Sequence, residues 1–231
     1  MFSAWIRGVL DALPSQCMVC HAWPSQSICE PCVSRFAQPK ERCRTCALAL
    51  PPGVEQCGQC VRDPPPLDHC LAAVSYEYPW ADLIVGYKFR QQPGRAAALA
   101  LLLHSTPWVE PALDAASLVL PMPLSPARLR TRGFNQALLL ARQLAPRKTE
   151  HHLLLRIKDT APQSSLHRAE RLDSLRHAFA VDPLLQGRVK GARLVLVDDV
   201  MTSGATLFSA ARVLRAAGAA HITGLVIART E

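Results

Sequence analysis

Two groups of residues in this 231-residue chain have types and spacing suited to chemistry. The first is Leu194-Val195-Leu196-Val197-Asp198-Asp199-Val200-Met201-Thr202-Ser203-Gly204-Ala205-Thr206. An apolar run ends in two acids, a short loop of small and hydroxylated residues follows, and a helix-forming stretch takes over. The run reads as a strand covered on both faces. A helix starting at the carboxyl end of such a strand turns unpaired N–H groups toward an anion. Gly204 allows close backbone approach, and Thr202, Ser203 and Thr206 add hydroxyl donors for phosphate oxygens. Two acids beside a phosphate need another purpose: ribose hydroxyls donate to carboxylates, and a magnesium ion takes their oxygens. No Gly-Lys-Ser/Thr ending is present, which excludes a Walker loop. An ordinary strand–turn–helix with an acidic N-cap accounts for fewer of these residue types in this order.

The second group is cysteine. Cys17/Cys20, Cys29/Cys32, Cys43/Cys46 and Cys57/Cys60 form four Cys-x-x-Cys pairs among nine cysteines. Each pair can offer two thiolates to one metal from one turn, and two turns close a tetrahedral zinc site. Eight thiolates allow two structural zinc ions. Sequential grouping (Cys17, Cys20, Cys29, Cys32, then Cys43, Cys46, Cys57, Cys60) is favoured over interleaved grouping. Redox dithiols are the competing reading, but they come singly near a βαβ unit. His21 could replace a thiolate, and Cys70 reads as a small buried hydrophobe.

These residues need elements to position them. Hydrophobic residues make up 49% of the chain, enough for a sizeable core, and the formal net charge of +8 favours anionic partners. No run of 18 apolar residues exists to span a membrane. Phe2, Trp5, Ile6, Val9, Leu10 and Leu13 fall on one helical face without the basic start of an export signal, so a short packed helix is expected. Cysteine density without such a signal points to metal binding in the reducing cytoplasm. Pro64-Pro65-Pro66 separates two compositions. Residues 1–66 are expected to hold the N-terminal helix and double zinc module, and residues 67–231 an α/β domain. Strands are expected at Cys70–Tyr78, Ser117–Met122, Leu153–Ile157, Arg193–Val197 and His221–Ala228. Helices are expected at Trp80–Phe89, Arg95–His104, Ala127–Ala145 and Ala205–Ala217, and Leu166–Arg176 reads as helix or structured loop. This alternation predicts a doubly wound, mostly parallel sheet.

The Leu194–Thr206 segment resembles the phosphoribosyl-pyrophosphate (PRPP) motif of type I phosphoribosyltransferases. The resemblance implies that fold and gives Asp198 and Asp199 the ribose hydroxyls and the catalytic position. It gives Thr202, Ser203, Gly204, Ala205 and Thr206 the 5′-phosphate, and Pro121, Met122 and Pro123 the pyrophosphate loop, with magnesium accompanying PRPP. Further stretches narrow the resemblance to ComF-like proteins: Pro121-Met122-Pro123-Leu124, Arg128, Arg132-Gly133-Phe134-Asn135-Gln136-Ala137, Thr160 with Gln163-Ser164, Arg168 with Glu170-Arg171, Phe179, and the cysteine-rich beginning. The family commonly has Asn where this chain has Ser174. Arg128, Arg132 and Arg171 are implied as ligand residues, with Lys88 a further candidate.

Between Leu124 and Arg176 eleven Lys/Arg face four acids, an excess of +7. Solvated helix faces, neutralisation of PRPP and binding of a nucleic-acid backbone compete for these charges. For Arg142, Arg147 and Lys148 the solvated face is favoured. Aromatic residues among the basics are few, Phe134 and Phe179. The family resemblance implies a role in natural transformation or nucleotide salvage, with single-stranded DNA and uptake, helicase or recombination proteins as partners. Enzymatic phosphoribosyl transfer with pyrophosphate release is the leading expectation. A non-catalytic PRPP-sensing or DNA-handling protein is the alternative. A base-choosing hood must come from the zinc module or from residues 70–90, or be missing, since the chain stops at Glu231 just after its last strand.

Overall fold

The computed structural model describes residues 15–158 and 178–231. The expected helix at Met1–Leu13, together with Thr160, Gln163, Ser164, Arg168, Glu170, Arg171, Ser174 and the Leu166–Arg176 segment, lies outside the described residues. Two compact units divide the chain, Met1–Gln38 and Pro39–Glu231.

In the smaller unit, Ser15 pairs antiparallel with Ser25 around the Cys17–Cys20 turn. Helix α1 (Glu30–Phe36) starts with Cys29 as its N-cap. The larger unit opens with the same device. Arg42 pairs antiparallel with Ala49 around the Cys43–Cys46 turn, and helix α2 (Gly58–Arg62) has Cys57 as its N-cap. Both N-caps have φ −74° and ψ 154°. Each first turn is closed by a left-handed residue, His21 at φ 60° and Ala47 at φ 55°. The sequence shows only recurring Cys-x-x-Cys, whereas the backbone repeats a whole turn-plus-helix motif. The compositional boundary near residue 66 differs from the division by contact at residues 38 and 39. Cys43, Cys46, Cys57 and Cys60 share one core with Cys70, Leu120, Leu194 and Leu196 of the sheet.

The sheet has strand order β1-β6-β5-β2 among the described residues, with β1 His69–Ser75, β2 Leu118–Pro121, β5 Arg193–Met201 and β6 His221–Arg229. Every neighbouring pair is parallel. Central strands β5 and β6 are almost wholly buried, as their continuous apolar runs require. Short β3 (Leu154–Arg156) and β4 (Phe179–Val181) form a separate antiparallel ribbon instead of joining the sheet.

Between β1 and β2 come α3 (Trp80–Phe89), α4 (Ala96–His104) and α5 (Val109–Ala115). After β2 come α6 (Pro126–Arg132) and α7 (Gln136–Leu144), and α8 (Ala205–Ala216) links β5 to β6. The connection from β1 to β2 crosses the sheet one way and that from β5 to β6 the other. Right-handed crossovers therefore place their helices on opposite faces. Helices α4 and α7 pack together against the sheet, and α8 packs with β4 and β5. On α8, Leu207, Ala210, Ala211 and Leu214 supply the buried stripe at helical spacing.

Both sheet edges are covered. On β1, Cys70 N–H donates to the Arg44 carbonyl at 2.7 Å. On β2, Val119 N–H donates to Lys148 O at 2.8 Å and Glu150 N–H donates to Val119 O at 2.9 Å. These pairings occupy backbone groups that would otherwise recruit another chain.

The expected long helix over Ala127–Ala145 is two helices. Gly133 at φ 78° ends α6, and Asn135 N-caps α7 by accepting from Leu138 N–H at 3.2 Å. The first strand ends at Ser75 rather than Tyr78, while β5 runs on through both aspartates to Met201. Helix α5 has no counterpart among the expected elements.

Candidate active site and metal centres

Strands β2 and β5 are adjacent, and the helices that follow them go to opposite faces. That makes the crevice at their carboxyl ends the switch point where an open α/β sheet takes its ligand. Asp198, Val200, Met201, Thr202, Ser203, Gly204, Ala205, Thr206 and Leu207 line an open concavity there of about 270 Å³, counting its solvent side. Gly204 is the N-cap of α8 with φ 78°. A Cβ on it would lie 2.5 Å from Met201 Cε and 2.6 Å from Phe208 Cζ. The left-handed backbone favours glycine at this turn, and any larger residue would have to displace Met201 and Phe208; the turn opens α8 beside the concavity.

The second loop lies alongside. Met122 N–H donates to Val197 O at 2.9 Å, extending the β2–β5 pairing by one residue. Asn135 Nδ2 donates to Met122 O at 3.1 Å. Ser125, buried at the N-cap of α6, accepts from Arg128 N–H at 3.3 Å. Pro121 and Met122 are buried and Pro123 half-buried, so this loop flanks the concavity rather than lining it.

The aspartates have separate environments because successive strand residues face opposite ways. Asp198 lines the concavity. Burial raises its carboxyl pKa to about 7, with Asp199 adding to the rise and Lys88 opposing it. Asp199 is buried on the other side. Its Oδ1 pairs with Lys88 Nζ at 2.7 Å and accepts from Val200 N–H at 2.6 Å, and its Oδ2 accepts from Gln136 Nε2 at 2.9 Å.

The cysteines gather in the sequential grouping. In Cys17, Cys20, Cys29 and Cys32, and likewise in Cys43, Cys46, Cys57 and Cys60, all four Sγ atoms lie within 4.8 Å of one another. Four thiolates about 2.3 Å from one zinc stand about 3.8 Å apart. Cys17–Cys32 at 3.9 Å, Cys20–Cys29 at 3.6 Å and Cys46–Cys57 at 3.7 Å match that tetrahedron. Backbone N–H groups of Cys29 and Cys57 donate to Cys17 Sγ and Cys43 Sγ, each at 3.4 Å, as they would to thiolates. Both groups could hold zinc.

The Phosphoribosyl transferase domain family matches residues 131–230. DNA utilization protein YhgH of Salmonella typhimurium is 32% identical over 229 residues, 94% of this chain and 98% of that protein. Competence protein F of Haemophilus influenzae is 31% identical over 195 residues, 81% of this chain and 84% of that one. This chain belongs to the ComF family. Competence protein ComFC of Bacillus subtilis is 37% identical over 113 residues, 48% of this chain and 44% of that protein. The fold of this ComF-family protein is the type I phosphoribosyltransferase fold, with a parallel sheet and helices on both faces.

Of the residues that the sequence nominates, Asp198 and Thr202 to Thr206 surround the concavity of this ComF-family domain, and Lys88 arrives from α3 through Asp199. Arg132 stands close enough for both aspartates to favour its charge against the burial that lowers its pKa. Arg128 is half-buried on the same helix. Lys148 is no solvated charge: it caps α5, donating to the carbonyls of Leu113 at 2.9 Å and Asp114 at 2.8 Å. Cys70 is buried with its thiol pKa pushed up to about 12 by desolvation, and is chemically quiet.

Three contributors escape the sequence reading of site residues. Gln136, at the start of α7, holds Asp199, while its buried Oε1 has no hydrogen-bond partner among the described residues. Tyr87 donates its hydroxyl to Gln136 O at 2.7 Å, and burial followed by the Asp199 charge raises its pKa. Phe89, 63% exposed, lies under Arg132 with Cζ 5.0 Å from the ring centroid. Phe89 and Arg132 are far apart in sequence, so no local pattern could pair them.

Among the described residues no helix is long and apolar enough to cross a membrane.

Proposed function

We propose that this ComF-family protein binds PRPP with magnesium at the carboxyl ends of β2 and β5 and transfers its phosphoribosyl group to an acceptor. The observation that carries this reading is the juxtaposition, around one concavity, of the Asp198 carboxyl with the left-handed Gly204 turn that opens α8. Backbone N–H groups at 202–206 and the Thr202, Ser203 and Thr206 hydroxyls hold the 5′-phosphate. Asp198 accepts hydrogen bonds from the ribose hydroxyls. Asp199, tied to Lys88 and Gln136, fixes the carboxyl end of β5 from behind. Arg128 and Arg132 on α6 face the pyrophosphate. Magnesium supplies charge neutralisation of the pyrophosphate, and Asp198 is the carboxylate on the concavity that would help hold it. As the C1–oxygen bond to pyrophosphate breaks, the leaving group takes the electron pair and the acceptor's lone pair forms the new bond to C1. Positioning and charge stabilisation do most of this work, since among the described residues no side chain stands out as a general base.

Calorimetric titration with PRPP should show saturable binding with magnesium and much weaker binding without it. Pyrophosphate release should then appear with one of a panel of acceptor bases. Absence of PRPP binding under both conditions would sink the site.

A second reading, non-catalytic handling of single-stranded DNA, is favoured by one feature. Exposed Phe89 is backed by Arg132 on a helix that carries Arg128 and Arg130 and no acid. An open aromatic face among cations suits base stacking beside phosphates. It agrees with relatives whose names refer to DNA utilization and competence. Phe89→Ala should weaken binding to an oligothymidylate by about 1–3 kcal/mol at fixed salt if the ring stacks on a base. Unaltered affinity would remove the platform, whatever the salt dependence.

A further inference from the structure

The Cys43–Cys60 group and the phosphate loop belong to one unit, and one buried side chain bridges them. Arg229, at the end of β6, is 8% exposed. Its Nε donates to the Cys46 carbonyl at 2.9 Å. Its Nη1 donates to the Met201 carbonyl at 3.4 Å and also to Thr230 O. Met201 O is gripped a second time by Thr230 N–H at 3.1 Å.

Each end of this bridge leads to a functional group. Cys46 Sγ lies 3.7 Å from Cys57 Sγ, and Ala47 N–H donates to Cys43 O at 2.8 Å, so the direction of the Cys46 carbonyl is set by the turn that presents the thiols. The next carbonyl, Ala47 O, accepts from Arg42 Nη1 at 3.0 Å, and Arg42 pairs with Glu231 Oε1 at 3.1 Å. Ala49 N–H donates to Glu231 Oε2 at 2.9 Å. The segment Arg229–Glu231 is thereby clasped to the cysteine turn along its length. At the other end, Met201 opens the phosphate loop, and its Cε fills the space over Gly204 that a Cβ would occupy. Met201 Sδ also lies 3.5 Å from Cys70 Sγ, so its side chain is held from below. A shift of the Met201 backbone must therefore move the turn that opens α8.

Given the phosphoribosyl reading of the loop, we infer that Arg229 is a positioning residue that couples the Cys43–Cys60 metal group to the phosphate loop. Metal retention there and affinity for a phosphoribosyl ligand are then linked. Arginine suits the role because its fork serves two carbonyls about one plane, which a lysine cannot do. Coupling between two sites is reciprocal: what the metal does for the ligand, the ligand does for the metal.

The test uses the full-length zinc-loaded chain as wild type, Arg229→Met, Arg229→Lys and Ile222→Ala. Ile222 is buried at the opposite end of β6 and serves as a control for lost stability alone. Two quantities are read: the dissociation constant for PRPP with magnesium by calorimetry, and the rate of zinc transfer to a chromogenic chelator with and without PRPP. Arg229→Met should weaken PRPP by at least about fivefold, Arg229→Lys should recover part of it, and Ile222→Ala should bind like wild type. PRPP should slow one phase of zinc loss in wild type and leave Arg229→Met unaffected. Wild-type affinity in Arg229→Met, or wild-type zinc loss indifferent to bound PRPP, would overturn the coupling while leaving the loop's ligand intact. If wild type binds no PRPP, the reading of the loop fails first and the coupling with it.

Discussion

Asp198 and Asp199 adjoin in sequence and share the influence of Lys88 and Arg132, yet only Asp198 lines the concavity. Asp199 pairs with Lys88 and accepts hydrogen bonds on both oxygens. Asp198 faces the concavity, and burial lifts its pKa to about 7, against about 3.9 in an unfolded chain. The stability that its protonated form contributes is whole below about pH 4 and is lost as pH rises through about 7. Asp198→Asn should therefore stabilise the ligand-free domain at pH 8, on the order of 1–3 kcal/mol, with little gain at pH 4. On the proposed function it should also weaken PRPP by at least about tenfold, since the carboxylate proposed to receive the ribose hydroxyls is lost. Thermal melts at both pH values check the first outcome and calorimetry the second. A variant that melts lower at pH 8 would show that this carboxylate is held by the fold, not for a ligand. By the same linkage, affinity of the wild-type chain should rise between pH 6 and pH 8.

At the scale of elements, the loops decide. The Gly204 turn has φ 78° and no room for a methyl group, whereas Gly133, also at φ 78°, ends α6 with open space around it. Ala at either position meets the left-handed backbone cost of roughly 1–2 kcal/mol. Only at Gly204 must Met201 and Phe208 also move. Gly204→Ala should be the more destabilising of the two in urea and should lose PRPP binding. Equal midpoints for the two variants would mean that the packing above Gly204 gives way freely. Lys148→Met should cost about 1 kcal/mol by removing the only donor found among the described residues for Asp114 O and leaving Leu113 O with the Ala116 N–H alone at the end of α5. That loss, read in the same titrations, distinguishes a helix cap from a solvated charge, whose removal costs almost nothing.

For the whole molecule, the two cysteine groups repeat one motif in different settings. The first is packed with Val19, Ile28 and Phe36 of its own small unit. The second is part of the core that holds the sheet. Native mass spectrometry should find two zinc ions per chain, and fewer than one would end the tetrathiolate reading. Chelation should unfold the smaller unit locally and lower the cooperative melting of the larger one, because a structural zinc contributes folding free energy directly. A melting temperature unmoved by complete zinc removal would show that the second group does not support the sheet.

The strand, the Gly204 turn and the helix that line the concavity were legible in the sequence because all of them lie within one strand–loop–helix. Local order carries the apolar run, the acids, the glycine and the hydroxyls together. The cysteine pairs and their sequential grouping were legible for the same reason, since each pair spans a single turn. The alternation of strands and helices likewise predicted the parallel sheet. What the chain order alone did not reveal depends on pairs remote in sequence. The break at Gly133 was hidden because a lone glycine within a helix-forming stretch is tolerated, and its left-handed φ of 78° shows only in the folded backbone. Tertiary packing alone brought Lys88 and Gln136 to Asp199, laid Arg132 over Phe89, tied the Cys46 carbonyl to Met201 through Arg229, and assigned Lys148 to a helix end. The physical reason is that periodicity and turn chemistry act over a few residues. Which buried charge meets which partner is settled only when desolvation forces groups from different elements to satisfy one another.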